Sequence, residues 1–430
     1  MKEILYPPFL QWEVTPNCNH DCRHCYNYWR KDKERECETP DNHLDIAKKI
    51  VEQHPLSVVI TGGEPLLVFD KIKDSIILLK EAGIRVTMNT NATLATDEIA
   101  KFLAEQQMSV FVSLPCSVPE VCDDITNVKG SLERISEGIK TFLKNNVPVA
   151  VNMVVSKRNI DYIYDTAKYA KEVLNVKRFF ASRVSKPINS DKEFIKELLS
   201  KEEVLHMCDE LMRISQELKL DTETATPMPV CMFTDNEMFQ KFSYNKTCGA
   251  GRNSYGIDTM GNIKACPRDE EIYGNILTDN FQDVWKKMES WRTDEYLPKE
   301  CRSCNVKSNC RGSCRLDAYP MTGSRDSLDP LTCLENVPVN FTKKKEKYDF
   351  PMDQVFDISK NIRFVEEKHG WRASFGNDFT IITDKLKSFL ISRTKFCISD
   401  FMKEYNVEYA VANDVVNVLQ SKNIVRFQKS

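Results

Sequence analysis

The sequence of 430 residues lacks the features that mark two common classes of protein. Neither charge is in excess, with 60 Lys and Arg against 63 Asp and Glu, whereas a nucleic-acid-binding domain is usually strongly basic. No run of about 18 apolar residues exists, so we expect no transmembrane helix. Residues 1–6 lead into the first apolar run without the charged start and apolar core of a signal peptide. We therefore expect a cytosolic protein of two or three domains, with neither nucleic acid nor membrane as partner.

Cysteine, in contrast, is abundant, with 16 copies. Thiols rarely pair as disulfides in the reducing cytosol, so metal ligands or buried thiols are expected. Ten cysteines form two groups: Cys18, Cys22 and Cys25, and then Cys248, Cys266, Cys301, Cys304, Cys310, Cys314 and Cys333. We interpret most of the others as small buried hydrophobes: Cys37, Cys116, Cys122, Cys208, Cys231 and Cys397.

The first cysteine group has the spacing C-x3-C-x2-C and follows the apolar run Phe9–Val14. Three thiolates on one loop can hold three irons of a 4Fe–4S cube and leave the fourth iron open to a ligand. The alternative is a zinc site, but zinc usually needs four ligands, and no partner pair lies nearby. The segment Gly62-Gly63-Glu64-Pro65 follows a second apolar run. Glycines there let the backbone approach a ligand closely, and Glu64 offers an acceptor.

Residues 8–220 alternate short apolar runs with longer stretches at helical spacing. The predicted strands are Phe9–Val14, Ser57–Thr61, Arg85–Asn89, Ser109–Leu114, Val149–Val155 and Lys177–Ser182. The predicted helices lie near Leu44–Gln53, Ile72–Ala82, Asp97–Gln106, Leu132–Asn145, Tyr162–Leu174 and Glu202–Leu218. Six βα units in series predict an α/β fold, a partial (β/α)6 TIM-like barrel over 1–225, with its site at the carboxyl ends of the strands.

The cysteine loop and the Gly-Gly-Glu-Pro segment together resemble the signature of the radical S-adenosylmethionine (SAM) enzymes. In that family the open iron chelates SAM, and reduction releases a 5′-deoxyadenosyl radical. The resemblance implies a partial barrel that is open on one side for a large substrate. It also implies that Glu64 accepts the ammonium of SAM.

The same resemblance implies further SAM contacts. His24 takes the position of an aromatic residue near the adenine, and an exposed loop histidine is the alternative. Asn89 and Asn91 stand where the family often has Thr-Asn-Gly, which matches in part because Ala92 replaces the glycine. Ser113 resembles a ribose contact, Asn152 a further SAM contact, and Arg183 a partner for the carboxylate of SAM or of the substrate. Structural polarity is the alternative for these three.

The second cysteine group, within residues 248–335, resembles the SPASM pattern of peptide-modifying radical SAM enzymes at every spacing. A zinc ribbon is the alternative, but seven thiolates suit two clusters better than one zinc ion. Gly261-Asn262 predicts a hairpin turn between Tyr255–Asp258 and Ile263–Ala265, after a connector at 226–247. By resemblance, Cys248, Cys266 and Cys314 hold a nearer auxiliary cluster, and Cys301, Cys304, Cys310 and Cys333 hold a farther one.

Ligand arithmetic predicts an open iron on the nearer cluster, because two fully capped clusters need eight ligands and the group supplies seven. Some relatives have an eighth cysteine a few residues after the first, where this chain has Arg252, Asn253 and Ser254. The alternative is a distant residue that closes the site. Cys231, in the connector, is the candidate for it.

Residues 349–430 follow a charged linker at 336–348 and show a different pattern. Three short strands, Val355–Glu366, Trp371–Phe375 and Phe379–Thr383, precede three helices near Lys385–Arg393, Ile398–Tyr405 and Tyr409–Ser421. This winged-helix-like module resembles the peptide-recognition element of ribosomal peptide pathways, in which a leader peptide adds a strand to the sheet and packs on the third helix. DNA binding is the alternative.

The resemblance implies a radical SAM maturase with three 4Fe–4S clusters, SAM, and a flavodoxin or ferredoxin as reductant. Its substrate is a ribosomally made precursor peptide, in which it closes a thioether or carbon–carbon crosslink. One alternative is a sulfatase maturase that forms formylglycine, which has no need of a leader-binding tail. Another is a regulator that binds SAM and DNA without turnover.

Overall fold

The structure, a computed structural model, describes residues 5–27, 41–244, 246–336 and 347–427. The chain divides into two compact units. The larger is Phe9–Gln53 and Val58–Phe341, and the smaller is Met1–Pro8, His54–Ser57 and Thr342–Ser430. The predicted boundaries at 225 and 247 lie inside the larger unit. Most of the predicted linker, and Cys37, lie outside the described residues.

A ten-stranded sheet runs through the larger unit in the order β10-β9-β8-β1-β2-β3-β4-β5-β6-β7. Its first seven strands along the chain are β1 Phe9–Glu13, β2 Ser57–Thr61, β3 Arg85–Thr90, β4 Ser109–Ser113, β5 Val149–Val155, β6 Arg178–Arg183 and β7 Asp221–Glu223. The six predicted strands are present to within a residue or two at each end. Strands β3 to β7 pair in parallel, so the predicted α/β fold with a parallel sheet is confirmed.

Helices cover this sheet and bury one apolar face each. They are α1 His43–Glu52, α2 Phe69–Glu81, α3 Asp97–Glu105, α4 Pro119–Thr126, α5 Ser131–Lys144, α6 Ile163–Glu172 and α7 Lys201–Glu217. Local chemistry sets their starts: the Thr96 hydroxyl accepts from the Ile99 amide at 3.2 Å, and Ser200 with Glu203 forms a capping box. Helix α4 was not predicted from the sequence.

The cysteine-rich region continues the same unit with short elements. They are α8 Asn236–Phe242, β8 Ser254–Ile257, β9 Asn262–Lys264, β10 Gly274–Asn275, α9 Phe281–Lys287, α10 Glu289–Arg292, α11 Lys307–Cys310 and α12 Arg315–Thr322. The predicted hairpin is present, with Gly261 at φ +83° in its turn. Strand β8 also pairs in parallel with β1, Ser254 opposite Phe9, which the sequence did not predict.

Six 3-10 helices complete the described part of the unit: Pro65–Val68, Ile160–Tyr162, Lys192–Glu197, Val230–Met232, Lys299–Cys301 and Leu334–Asn336. No helix in the described part of the chain is both long enough and apolar enough to cross a membrane.

The smaller unit contains two three-stranded antiparallel sheets and three helices. Its elements are β11 Val355–Ile358, β12 Arg363–Glu367, β13 Gly370–Phe375, β14 Asp378–Ile382, α13 Asp384–Ile391, β15 Lys395–Cys397, α14 Ile398–Tyr405, α15 Tyr409–Ser421 and β16 Val425–Phe427. The sheets have the orders β15-β11-β16 and β12-β13-β14. The predicted strands and helices are present, but the first predicted strand splits into β11 and β12, and β15 and β16 were missed.

A buried arginine ties the last part of the smaller unit to its first part. The guanidinium of Arg372, with no exposed surface, donates to the carbonyl oxygens of Tyr6 and His54. Its neighbour Glu367 accepts from the Leu5 amide at 2.7 Å. Burial of these charges is tolerated because each is hydrogen-bonded, and the two side chains also form an ion pair.

Candidate functional site

A cavity of about 300 Å³ lies where the strands of the larger unit end. Twelve of the thirteen sequence-predicted SAM or first-cluster residues line it: Cys18, Cys22, His24, Cys25, Gly62, Gly63, Glu64, Asn89, Asn91, Ser113, Asn152 and Arg183. The exception is Pro65, which is buried and begins the 3-10 helix that follows. The cavity also has lining residues that the sequence analysis missed, among them Tyr26, Thr90, Phe111, Ser182 and Arg268. Alternation along a strand could have found Phe111, which lies two residues before Ser113.

The cysteine loop is held by the end of helix α4. The backbone amides of Asp21 and Arg23 donate to the carbonyl oxygens of Thr126 and Ile125, at 3.1 and 2.9 Å. The Arg23 guanidinium also pairs with Asp124 at 2.9 Å. Since backbone bonds fix both sides of Cys22, the helix that the sequence did not reveal sets the path of the loop.

The three cysteines of this loop are thiols, not disulfides, and meet the requirements of a cluster ligand set. The His20 amide donates to the Cys18 sulfur at 3.4 Å, and the Asn91 side-chain amide lies 4.0 Å from it. Such donors stabilise a thiolate bound to iron. The donor chemistry therefore fits a 4Fe–4S cluster at Cys18, Cys22 and Cys25. A site for a single metal ion with three or more His, Cys, Asp or Glu ligands is not found among the described residues.

His24 lies on the cavity wall between two of these cysteines. Burial lowers its pKa to about 4, so the imidazole is neutral near pH 7. Its Nδ1 atom is buried without a hydrogen-bond partner in the described chain. A neutral ring in this place fits the predicted contact with an adenine, which remains a prediction.

The two glycines of Gly62-Gly63 allow close packing against protein backbone. The Gly63 amide donates to Thr15 at 2.6 Å, and the Glu64 amide to Asn17 at 2.8 Å. A Cβ atom on Gly63 would overlap the Asn17 carbonyl. From the sequence, these glycines were expected to let the backbone approach a ligand. In the structure they also let it approach the segment just before Cys18.

The Glu64 carboxylate joins the ends of β2 and β3. Its Oε1 accepts from the Leu66 amide at 3.0 Å and the Thr90 hydroxyl at 2.6 Å, and its Oε2 from the Asn91 amide at 2.7 Å. Burial raises the pKa of Glu64 to about 7, although these donors lower it. The carboxyl is therefore poised to change charge near neutral pH.

Arg183, at the end of β6, is engaged with two buried carboxylates. Its Nη2 atom lies 2.7 Å from Asp317 and 2.9 Å from Asp329. Its Nε atom is buried without a hydrogen-bond partner in the described residues. One donor thus remains for a carboxylate in the cavity. Asn152 differs from Arg183, because its side-chain Oδ1 already accepts a hydrogen bond from the Ser182 hydroxyl at 2.8 Å.

The cysteines expected for the nearer cluster lie together. The negative charge of Cys248 contributes to the raised pKa of both Cys266 and Cys314, after burial, which is the largest cause. The Arg268 guanidinium donates to the Cys314 sulfur at 3.5 Å. Three thiols with a cationic donor fit an iron–sulfur cluster.

Cys231 lies beside the other set. Its sulfur accepts from the Cys333 amide at 3.3 Å, and burial together with the charges of Cys310 and Cys301 raises its pKa to about 11. Cys301 in turn interacts with Cys304. Cys231, the alternative to an open iron on the nearer cluster, therefore lies beside the expected ligands of the farther one.

Two families of known domains match the chain. The Radical SAM superfamily matches residues 12–170, and the SPASM iron–sulfur cluster-binding domain matches residues 248–305. The chain is a radical SAM enzyme with a SPASM domain. It uses SAM and iron–sulfur clusters, as its cavity chemistry indicates.

Relatives of this radical SAM enzyme have different named activities. It is 28% identical over 346 residues to the AdoMet-dependent heme synthase of Methanosarcina barkeri, covering 75% of this chain and 95% of the relative. It is 26% identical over 348 residues to the mycofactocin maturase MftC of Mycolicibacterium smegmatis, covering 76% and 83%. Its fold is similar to that of Streptococcus suis SuiB bound to the precursor peptide SuiA, with a TM-score of 0.61, 20% identity and 75% of each chain covered.

We expect Gly63→Ala to remove the cluster of the radical SAM site and to spare the iron held by the later cysteines. The added Cβ would displace the backbone before Cys18, so the iron content should fall by about four atoms per protein molecule. Iron analysis with electron paramagnetic resonance (EPR) measures this. Gly323→Ala is the control for backbone strain alone, since its φ of +78° strains an alanine while the added Cβ meets nothing within 4 Å. Full iron content in Gly63→Ala would contradict the assignment.

SAM affinity should increase with pH. An ammonium pairs with the ionised form of Glu64, and a pKa of about 7 leaves that form scarce at pH 6 and dominant at pH 8. Affinity should therefore rise about tenfold across this range. Equilibrium binding to the anaerobic, cluster-loaded enzyme measures it, and Glu64→Gln should flatten the profile. A flat profile in the unaltered enzyme would exclude Glu64 as the ammonium acceptor.

Proposed function

We propose that this enzyme modifies a ribosomally synthesised precursor peptide by hydrogen abstraction and closes a side-chain crosslink in it, a thioether or a carbon–carbon bond. The observation that carries the reaction type is the single cavity that collects the three cysteines, the Gly-Gly-Glu loop and the polar strand ends. Peptide as the substrate class is supported by the smaller unit and by the relatives MftC and SuiB.

The residues of the cavity divide the work of binding. When bound, the cluster and SAM supply a 5′-deoxyadenosyl radical that takes a hydrogen atom from an unactivated carbon. Cys18, Cys22 and Cys25 hold the cluster, and Glu64 receives the ammonium of SAM. The Nε atom of Arg183 faces a carboxylate of SAM or substrate. The two auxiliary cysteine sets would hold clusters that can accept the electron leaving the substrate, with an open iron on the nearer one. A flavodoxin or ferredoxin of the cytosol is the reductant.

The leader segment of the precursor is proposed to bind to the exposed face of helix α15. Its buried side is formed by Ala412, Val416 and Leu419. Val411 and Val418 face outward with 50% and 45% of their surface exposed, and the partly buried Val415 lies between them. Positions i, i+4 and i+7 form one stripe, so the helix presents an apolar face without a partner in the described residues of its unit.

An edge strand begins near the carboxyl end of this helix. Strand β14 is at the end of the order β12-β13-β14, and the Asn423 side chain, just past α15, donates to Asp378 at the start of β14 at 2.9 Å. An extended peptide can add to such an edge and place alternate apolar side chains against the helix. Edge and stripe together favour a peptide over a nucleic acid, because neither is basic.

Heme synthesis is the second candidate, favoured by the 28% identity to the heme synthase. That match covers 95% of the relative but only 75% of this chain, so about a quarter of this chain has no counterpart in it. The tail unit is then unexplained. A peptide substrate gives the tail a use, and we therefore rank it first.

The test of function combines the reduced enzyme, SAM and a candidate precursor peptide, sought as a short open reading frame beside its gene. We expect formation of 5′-deoxyadenosine and a product lighter by two hydrogen atoms, because a crosslink removes one from each partner. Cys18→Ala/Cys22→Ala/Cys25→Ala should abolish both. Loss of carbon dioxide from an iron porphyrin, with the peptide unchanged, would instead establish the second candidate.

Val411→Asp and Val418→Asp should each weaken leader binding at least tenfold, about 1.4 kcal/mol, because a charge replaces an apolar contact. Fluorescence anisotropy with a labelled leader measures the affinity. Val173→Asp is the matched control, since this valine is 55% exposed and belongs to the larger unit. Equal affinity in all three variants and the unaltered enzyme would reject α15 as the leader site, and binding of duplex DNA instead would support the regulator.

A further inference from the structure

A chain of charged side chains joins the SAM cavity to the nearer cysteine set. Arg183 and Arg268 both line the cavity. Asp317 lies between them, with its Oδ2 2.7 Å from Arg183 and its Oδ1 2.7 Å from Arg268. Asp317 and Arg183 are buried, and only 18% of the Arg268 side chain is exposed.

This series of charged contacts ends at the sulfur atom of Cys314. The Nη2 atom of Arg268 donates to Asp317 and to the Leu316 carbonyl oxygen, at 2.7 and 2.8 Å. Its Nη1 atom donates to the Cys314 sulfur at 3.5 Å. The Cys314 amide in turn donates to Asp329 at 3.3 Å. Arg268 is thus oriented on two sides while it faces the thiol.

The electrostatics of the thiols agree with this geometry. Burial is the largest cause of the raised pKa of Cys266 and Cys314, and Arg268 opposes it at both. Asp317 acts in the other direction and raises the pKa of Cys314. The thiols of the nearer set therefore interact with one cation, Arg268, which stabilises negative charge at sulfur. They also interact with one anion, Asp317, which destabilises it.

The same two effects apply to an iron–sulfur cluster, which gains one negative charge on reduction. A nearby cation that donates to a ligand sulfur stabilises the reduced form and raises the potential, and a nearby anion lowers it. Partial burial strengthens both effects, since little water screens them.

We propose that Arg268 is a positioning residue that raises the reduction potential of the nearer auxiliary cluster, and that Asp317 partly offsets this increase. The role rests on the proposed function, in which this cluster accepts the electron that leaves the peptide. Arg268 makes the cluster a better acceptor, and Asp317 holds the guanidinium in place while it limits that gain.

The experiment is an EPR-monitored redox titration of the cluster-loaded enzyme without peptide. The signal of the nearer cluster is identified by its loss in Cys266→Ala. For Arg268→Gln we expect the reduced-to-oxidised ratio of this cluster, at the original midpoint, to fall about tenfold, which is about 59 mV for one electron. For Asp317→Asn we expect the ratio to rise. The other two clusters should keep their midpoints.

Arg325→Gln is the matched control. This arginine has 14% of its side chain exposed, pairs with Asp269 at 2.6 Å and lies over the ring of Tyr319, not against a thiol. Its removal deletes an equivalent charge next to the same loop but not at a sulfur, and because its partner Asp269 acts on Cys266, we expect a midpoint shift well below that of Arg268→Gln.

Midpoint shifts of opposite sign in Arg268→Gln and Asp317→Asn support the proposal. If one variant fails to load iron, a midpoint shift of the predicted sign in the other variant is sufficient support. An unchanged midpoint, shifts of the same sign, or loss of the cluster from both variants overturns it, the last because both residues would then be structural. The titration needs no peptide, so failure of the proposed substrate leaves its outcome intact.

Discussion

One buried carboxylate organises the centre of the larger unit. Glu64 accepts three hydrogen bonds, from Leu66 in its own loop and from Thr90 and Asn91 at the end of the next strand. Each bond offsets part of the cost of removing the charge from water. Asn91 passes the constraint on, because its side chain bonds Asn19 at 2.7 Å in the cysteine loop. The cluster loop, the glycine loop and β3 therefore keep one geometry only while this carboxylate stays in place.

The sequence predicted what depends on local order. Apolar runs located the six barrel strands, and cysteine spacing located the ligand sets, since both patterns are complete within a short segment. It missed the parallel pairing of β1 with β8, the support of the cysteine loop by α4, and Arg268, because each depends on contacts between distant segments. The spacing of Val411, Val415 and Val418 predicts a common face of α15, but not that this face points outward. Valines occur on several sides of that helix, and only the packed structure tells which side is buried.

The two auxiliary cysteine sets differ in their surroundings. The nearer set has three thiols and faces Arg268 and Asp317, whose charges oppose each other at Cys314. The farther set has four expected ligands, and a fifth thiol, Cys231, lies against the backbone of Cys333. Lys201 also approaches the Cys333 sulfur, at 3.8 Å. A cationic side chain therefore approaches a sulfur of each set, and the farther set also has an additional thiol beside it.

The bonds of Arg372 and Glu367 to residues 5, 6 and 54 have a consequence for synthesis on the ribosome. Leu5 and Tyr6 precede these partners by 362 and 366 positions in the chain. At about 5–20 residues per second, they wait roughly 20–70 s for those partners. During that time the strands and helices between these partners are made. The bonds of Arg372 and Glu367 to residues 5, 6 and 54 therefore form only after residue 372 has left the ribosome.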